Sequence, residues 1–252
     1  MNSLKELNYT DIEKNDKPRV AIIPWGSIEP HGEHLPYLTD SILAETIANA
    51  VTSETQSRDN DVFYVTLPAF NLGSQNPGQT NTHFCIHFNV ETQKQVLKDV
   101  IHSLWLQGVQ DIYIINGHNG NDFKGIIRDL AEEYPIISVH WCNYLDVVKG
   151  YVDSPEAKEN GVVSYELDDH AAYTETSLML HVNPELVHLE NLVDTGWGGS
   201  ANHGRFWTPR NWLMCSVNTR VGTVGMASGE VGKKIFDYVV KALSDEIVQN
   251  QH

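Results

Sequence analysis

Two acidic residues and a histidine that follow an apolar run have the spacing of half a metal site. Glu29 and His31 come soon after the run that ends near Trp25, and Asp40 stands ahead of an amphipathic segment. In extended chain, side chains two residues apart point the same way, so Glu29 and His31 can aim at one point. Two carboxylates and an imidazole suit divalent Zn, Mn or Fe. A solvated polar loop is the competing interpretation.

A second group of polar residues surrounds His118, in the stretch Asn-Gly-His-Asn-Gly-Asn at 116–121. Gly117 and Gly120 permit the positive φ angles that a tight turn from strand to helix needs. Metal ligation by His118 competes here with an ordinary turn in which the histidine is exposed or hydrogen-bonded.

A third group consists of Asp168, Asp169 and His170, with Glu175 five residues further on. His170 could act as a general acid or base, because an unperturbed imidazole titrates near neutral pH. Glu175 could be a metal ligand or an orienting carboxylate; the alternative is a helix capped by Asp169, with a solvated Glu175. Residues five apart on a helix differ by about 140° in direction. His170 and Glu175 therefore share a site only if His170 lies at the helix entry.

Other side chains could contribute to a pocket or an interface. His34 is a candidate substrate or outer-sphere group, with a surface histidine as the alternative. Trp141 ends a predicted strand and could wall a substrate pocket for a flat polar ring, with core packing as the alternative. Trp197, Trp207 and Trp212 could line a subunit interface, where aromatic residues are enriched.

Strand-like and helix-like segments alternate along the chain, which predicts an α/β fold with a mostly parallel sheet flanked by helices. No repeat or linker divides the sequence, so we expect a single three-layer domain over residues 1–252. Strands are predicted at 20–24, 62–67, 111–115 and 136–141, and helices at 41–51, 91–106, 122–134, about 170–181 and 229–248. Residues 146–165 are predicted to form a loop or lid.

The order of these elements places the polar groups at strand ends. Glu29 and His31 follow one predicted strand, and His118 follows another. In open α/β sheets, ligands bind beyond the carboxyl ends of the strands. Two segments far apart in the sequence are therefore predicted to converge on one site.

Composition limits the classes of partner. The 252 residues carry a formal net charge of −16, which argues against nucleic acid or an anionic membrane as the main partner. Residues 1–20 lack the apolar core of a signal peptide, and no run approaches the roughly 18 apolar residues of a membrane span. Three widely spaced cysteines fit neither a disulfide framework nor a zinc knuckle, which favours a cytoplasmic location.

Several catalytic motifs are absent from the sequence. There is no HExxH helix of a zinc protease and no GxxxxGK[ST] phosphate loop. The GxSxG elbow of an α/β-hydrolase is also missing.

Taken together, the motifs resemble the creatininase (creatinine amidohydrolase) family. The matching stretches are 26–36 with Thr39-Asp40, 116–121, His170 with 175–180, and 222–232, within a similarity over about residues 19–245. The resemblance implies an α/β fold, usually assembled as a hexamer, with two divalent metal ions. It implies hydrolysis of a non-peptide C–N bond in a small cyclic amide or formamide by a metal-bound hydroxide.

Site roles follow from the same resemblance. Glu29 and His118 would hold one metal, His31 would hold the other, and Asp40 would bridge the two. His170 would transfer a proton to the leaving nitrogen, assisted by Glu175 if that residue is not itself a ligand.

The sequence departs from the family pattern in two places. Creatininase carries a glutamate two residues after the ligand histidine, and this chain has Gly120 there. Water, Glu175 or substrate would then complete the second metal site. Residues 73–88 lack the expected His-Phe-Pro-Gly-Thr, and His83 and His87 could compensate. These departures argue against creatinine as the substrate.

Two alternatives to the binuclear enzyme stay open. The chain could be a non-catalytic member of the fold that binds a ligand or metal. It could also be a mononuclear enzyme that uses only Glu29, Asp40 and His118, such as a peptide-maturation peptidase.

Overall fold

The protein is built around a sheet of four parallel strands. The structure, a computed structural model, describes residues 2–165, 168–193, 208–209, 212, 216 and 218–251. The strands are β1 (Arg19–Trp25), β2 (Phe63–Thr66), β3 (Asp111–Asn116) and β4 (Ser138–Asn143), in the spatial order β2-β1-β3-β4. The predicted α/β class with a parallel sheet is confirmed.

Helices cover both faces of this sheet, and a small antiparallel pair of strands lies apart from it. The helices are α1 (Tyr9–Glu13), α2 (Thr39–Arg58), α3 (Val90–Leu106), α4 (Phe123–Glu133), α5 (Tyr144–Val152), α6 (Pro155–Glu159), α7 (Tyr173–Val182) and α8 (Gly229–Gln251). Short 3₁₀ turns occupy Gln79–Asn81, Pro184–Leu186 and Leu189–Asn191. The small pair consists of β5 (Asp168–His170) and β6 (Val221–Gly222).

Strand β1 is apolar on both sides because it lies in the middle of the three layers. Ile22 packs into one core cluster together with α2, α7 and α8. Ile23 packs into a second cluster with α3 and α4. A strand covered on both faces has an almost continuous apolar sequence rather than an alternating one.

Two sequence-based expectations about helices were wrong. Residues 146–165 are not a loop, because they contain most of α5 and all of α6. Asn143 and Ser154 cap these two helices by accepting backbone N–H bonds from Leu145 and Ala157. In addition, Asp169 does not cap the next helix. It lies in β5, and α7 begins only at Tyr173.

No helix in the ranges described above is both long enough and apolar enough to cross a membrane. Trp197 and Trp207, predicted at an interface, lie outside the described residues.

Candidate metal centre

Strand pairing brings the two predicted motifs side by side. Trp25 at the end of β1 is in register with Asn116 at the end of β3, so the following loops start next to each other. Helix α2 begins above these loops and carries Asp40 in its first turn. A Cβ at Gly26 would lie only 2.4 Å from Ser41 Oγ. The missing side chain at Gly26 therefore lets α2 approach the strand end.

The first set of converging ligands is Glu29, Asp40 and His118. His118 Nδ1 lies 2.9 Å from Glu29 Oε1 and 3.0 Å from Asp40 Oδ2. Two ligands of one tetrahedral ion, each bonded at about 2.0–2.1 Å, lie about 3.4 Å apart, so these atoms are close to the spacing a shared ion requires. The other ring nitrogen, Nε2, donates to Ser74 O at 2.9 Å. This contact directs Nδ1 at the carboxylates.

The second set is His31, Asp40 and Glu175. His31 Nε2 lies 2.9 Å from Asp40 Oδ1, while Nδ1 donates to the backbone oxygen of Glu29 at 3.1 Å. The ligand atoms of His31, Asp40 and Glu175 all lie within 4.8 Å of one another. The same limit holds for the ligand atoms of the first set. Asp40 thus offers Oδ1 to one set and Oδ2 to the other. The four predicted metal ligands are brought together, and Glu175 joins them.

His170 lies at the edge of the cluster, at the end of β5. Its Nε2 donates to Pro30 O at 3.0 Å, and its Nδ1 lies 3.8 Å from Glu29 Oε1. The rings of His170 and His31 are 4.3 Å apart. Two residues separate His170 from α7, and the two predicted catalytic residues, His170 and Glu175, line the same cavity. The sequence required His170 to lie at the entry of the helix that carries Glu175. In the structure His170 lies instead in the short strand β5, just before that helix.

Burial and opposite charges shift the pKa values of the ligands. Burial disfavours charge on His31, but the Asp40 carboxylate outweighs it and raises the pKa of His31 to about 10. Burial also opposes charge on His118, yet Glu29 and Asp40 hold its pKa well above the usual value. Burial opposes charge on the carboxylates too, but His118 and His170 lower the pKa of Glu29, and His31 and His118 hold that of Asp40 well below its usual range. These shifts favour protonated imidazoles beside ionised carboxylates, and a divalent cation would replace the protons.

Glu175 and His170 shift toward their neutral forms. Burial raises the pKa of Glu175 to about 8. Burial and the nearby charge of His31 lower the pKa of His170. A neutral imidazole that faces the cluster can accept a proton at pH 7 and release it later.

A cavity of about 790 Å³ opens over the cluster. Its wall includes Glu29, Asp40, His170 and Glu175, so both ligand sets and the proton-transfer candidate face the same space. Trp212 lies beside this site with its ring 5.3 Å from that of His170. The arrangement can place a small polar molecule directly against a metal centre.

The two predicted pocket residues lie elsewhere. His34 is buried behind the ligands, where Nε2 bonds Thr176 Oγ1 at 2.8 Å. The ring of Trp141 packs against Phe123, and the Lys124 ammonium lies 5.5 Å from its centre. Neither residue lines the cavity as the described residues define it. Trp141 belongs instead to the core cluster of α3 and α4, because its strand turns that side chain toward α4.

Sequence reasoning missed a glutamine that holds a metal ligand. Gln79 is buried and donates from Nε2 to Glu29 Oε2 at 2.9 Å, while its Oε1 accepts from Asn76 N at 2.6 Å. Gln79 lies in the 73–88 segment. The departure of this segment from the family pattern was the one sign in the sequence that its residues contribute to the site. In the same segment His87 lines the cavity, whereas His83 is exposed.

The space at Gly120 is already filled. A Cβ there would lie 2.1 Å from Ser74 O and 2.5 Å from His118 Nε2. The carbonyl that orients His118 therefore occupies the place of a side chain at position 120. The position of the loop at 73–76 therefore requires a glycine, and not a glutamate, at position 120.

Comparisons with known proteins find related sequences and structures. The family profile described as creatininase, creatinine amidohydrolase, matches residues 5–247. The creatinine amidohydrolase of Pseudomonas putida is 24% identical over 247 residues, which cover 90% of this chain and 88% of that protein. The mycofactocin precursor peptide peptidase of Mycolicibacterium smegmatis is also 24% identical, over 90% of this chain and 84% of its own. A Bacteroides fragilis crystal structure, provisionally named creatinine amidohydrolase, is 36% identical, with a TM-score of 0.87 over 98% of this chain and 95% of that one.

Proposed function

The chain belongs to the creatininase family, and we propose that it hydrolyses a non-peptide C–N bond in a small cyclic amide or formamide. The creatinine amidohydrolase of Pseudomonas putida supports this bond type. The observation that carries the proposal is the position of Asp40, which presents one oxygen to each of two ligand sets.

The donor atoms fit two divalent ions. Glu29, Asp40 and His118 would hold one ion, and His31, Asp40 and Glu175 would hold the other. Mixed nitrogen and carboxylate donors suit Zn, Mn or Fe. Ions bound there would polarise the substrate carbonyl and make hydroxide available at neutral pH by lowering the pKa of water to about 7.

The chain's own residues would then move the protons. His170 is held through Nε2 by Pro30 O, which leaves Nδ1 free to accept a proton from water and pass it to the leaving nitrogen. The oxygen of water bonds to the carbonyl carbon, the C–N bond breaks, and the nitrogen takes that proton. Gln79 keeps the Glu29 carboxylate in place during these changes.

Elemental analysis combined with a substrate panel tests the proposal. Protein purified without chelator is expected to contain about two divalent ions per chain and to hydrolyse a cyclic amide or a formamide. One ion per chain would favour the mononuclear alternative. No ion, even after incubation with Zn, Mn and Fe, would contradict the proposal and favour a non-catalytic binding protein.

A peptidase is the second candidate function. The similarity to the mycofactocin precursor peptide peptidase over 90% of this chain favours it. Short peptides in the same panel separate the two candidates, since a peptidase would cleave them in preference to the cyclic amides.

A further inference from the structure

A carboxamide in the wall of the cavity has no hydrogen-bond partner among the residues that the structure describes. Gln75 is 8% exposed and lines the cavity beside the candidate metal centre. Its amide nitrogen Nε2 and its amide oxygen Oε1 are both enclosed, and neither has a partner in that part of the chain. Since buried polar groups are almost always hydrogen-bonded, an amide left in this state points to a ligand.

The backbone at Gln75 is fixed to the metal centre. The preceding carbonyl, Ser74 O, accepts from His118 Nε2 at 2.9 Å, and Ser74 N donates to Asn121 Oδ1 at 3.1 Å. The backbone nitrogen of Gln75 donates to His87 Nδ1 at 2.9 Å. The segment that orients a metal ligand therefore also sets the position of the Gln75 amide.

Neighbouring carboxamides are used differently. Gln79 holds Asn76 N through its oxygen and Glu29 through its nitrogen. Asn121 likewise uses both ends, because its Nδ2 donates twice and its Oδ1 accepts a backbone N–H. These side chains build the site. Gln75 differs from them, because neither end of its enclosed amide has a hydrogen-bond partner among the described residues.

We propose that Gln75 recognises the substrate, and that the substrate is a cyclic ureide, a ring with a second N–H/C=O edge besides the scissile amide. This inference rests on the proposed function. A carboxamide presents an N–H donor beside a C=O acceptor. It pairs in two hydrogen bonds with a planar edge that carries the complementary groups, as Asn and Gln do with adenine. A lactam has one such edge, and its carbonyl must lie at the metal centre.

Hydantoin illustrates the chemistry of the class. Hydrolysis breaks the amide bond between C4 and N3, the oxygen of water bonds to C4, and N3 takes the proton. One water is consumed, and the product is the ureido acid N-carbamoylglycine. The C2 carbonyl and the N1–H are unchanged by the reaction, so they remain available to the Gln75 amide throughout.

Ligand-observed NMR titration of the metal-loaded protein tests this inference with two rings of equal size. Hydantoin has the second edge, and 2-pyrrolidinone lacks it. We expect hydantoin to bind about tenfold more tightly, and Q75M to lose about tenfold of that affinity with little change for 2-pyrrolidinone. Q95M is the matched control, because Gln95 is exposed on α3 and is not among the residues that line the cavity. Q75E, which keeps acceptors but loses the donor, should also weaken hydantoin binding.

The outcomes separate this inference from the proposed function. Hydantoin binding no tighter than that of 2-pyrrolidinone, including no binding of either, overturns the inference. Unchanged hydantoin affinity in both Q75M and Q75E overturns it as well. Hydantoin binding that depends on Gln75 without release of N-carbamoylglycine supports Gln75 as a recognition residue and overturns a cyclic ureide as the substrate, while the substrate panel decides the proposed function. Equal hydrolysis of hydantoin and 2-pyrrolidinone would support the hydrolase and overturn the recognition of a ureide edge by Gln75.

Discussion

At Asp40 the two carboxylate oxygens have different histidine partners. Oδ1 lies 2.9 Å from His31 Nε2, and Oδ2 lies 3.0 Å from His118 Nδ1. Ser27 Oγ donates to Oδ2 at 2.6 Å, which fixes the carboxylate between the two rings. Each oxygen could therefore serve a separate ion, and both ions of the proposed centre would depend on this residue.

The change Asp40→Ala is expected to remove at least one of two bound ions and to lower activity about a hundredfold or more. Substitutions of residues that only support ligands already reduce metal affinity about 10–100-fold, and Asp40 contacts the ions directly. Elemental analysis and initial hydrolysis rates measure the two effects. Asp237→Ala is the control, because Asp237 is exposed and pairs only with Lys233. Two tightly held ions in the Asp40 variant would be incompatible with the bridge.

Glu175 and His118 belong to different ligand sets, so their variants should lose different ions. Glu175→Gln keeps the shape of the side chain and removes its charge, and we expect a two-step Mn²⁺ or Zn²⁺ titration to become a one-step titration. His118→Ala should remove the other step. Calorimetric titration measures both. If Glu175→Gln retains two steps of normal affinity, Glu175 is an orienting residue and water completes the second site.

Raised pKa values make the metal-free protein sensitive to alkaline pH. The pKa of His31 is about 10 against an ordinary 6.5, so its contribution to stability is complete below about pH 6.5 and is lost as the pH rises through 10. Glu175, with a pKa of about 8, acts in the same direction between about pH 4.5 and 8. We expect the melting temperature of the metal-free protein to fall about 5–10 °C further than that of the metal-loaded protein between pH 7 and 10. Scanning calorimetry on both forms checks this, and parallel declines would contradict it.

Residue types and spacing were sufficient to predict that Glu29, His31, Asp40 and His118 converge, because parallel strand ends meet at one edge of a sheet. Gln79 could not be predicted in the same way. Its partner Glu29 is 50 residues away, and the 3₁₀ turn that presents it has no periodic pattern. Contacts of this kind depend on how a loop folds back, which local propensity does not determine.

Among the elements, the turn after β3 has no room for a side chain at Gly120. A Cβ at Gly120 would meet Ser74 O at 2.1 Å, whereas one at Gly125 in α4 would meet nothing within 4 Å. We expect Gly120→Ala to destabilise the protein by about 1–3 kcal/mol and to weaken the ion held by His118. Gly125→Ala should stabilise it by up to about 1 kcal/mol, since alanine favours a helix interior. Denaturant unfolding and metal titration of both variants measure this contrast.

A Gly120→Glu variant also tests whether the 73–76 loop leaves room for a side chain at position 120. If it binds two ions as tightly as the wild type, Ser74 has moved aside and the new carboxylate has joined the site. That outcome would contradict the view that the 73–76 loop and Gly120 form one rigid arrangement. Loss of the ion held by His118 would support it.

Helices and strands with strong periodicity were predicted well, and failures occurred where the backbone changes direction. The segment before α7 was expected to be helical from about residue 170, yet Ala171 has φ 51° and β5 pairs with β6. This pairing joins Asp168 to Gly222, a partner that lies far along the sequence. The prediction of a loop at residues 146–165 was wrong for a local reason. Asn143 and Ser154 are helix caps, and they start α5 and α6.

On the scale of the whole molecule, the candidate ligands come from four separate segments. Glu29 and His31 follow β1, Asp40 begins α2, His118 follows β3, and Glu175 lies in α7. Ions bound by these residues would add further ties between parts of the chain that packing and hydrogen bonds already join. Binding that is specific to the folded state adds its free energy to folding.

Removal of the metals should therefore loosen those segments selectively. At a metal concentration of about 100 Kd, bound ions stabilise the fold by about 2.7 kcal/mol per site, or roughly 5–10 °C in melting temperature for a chain of this length. Hydrogen exchange after chelation should accelerate in residues 26–36, 117–121 and 168–175. The interior of α8 should change less, because its buried face packs against α2 and α7 rather than against the ligands. Uniform acceleration in all these segments would show that the ions stabilise only the global fold, and no change at all would mean that these residues hold no ion that matters for folding.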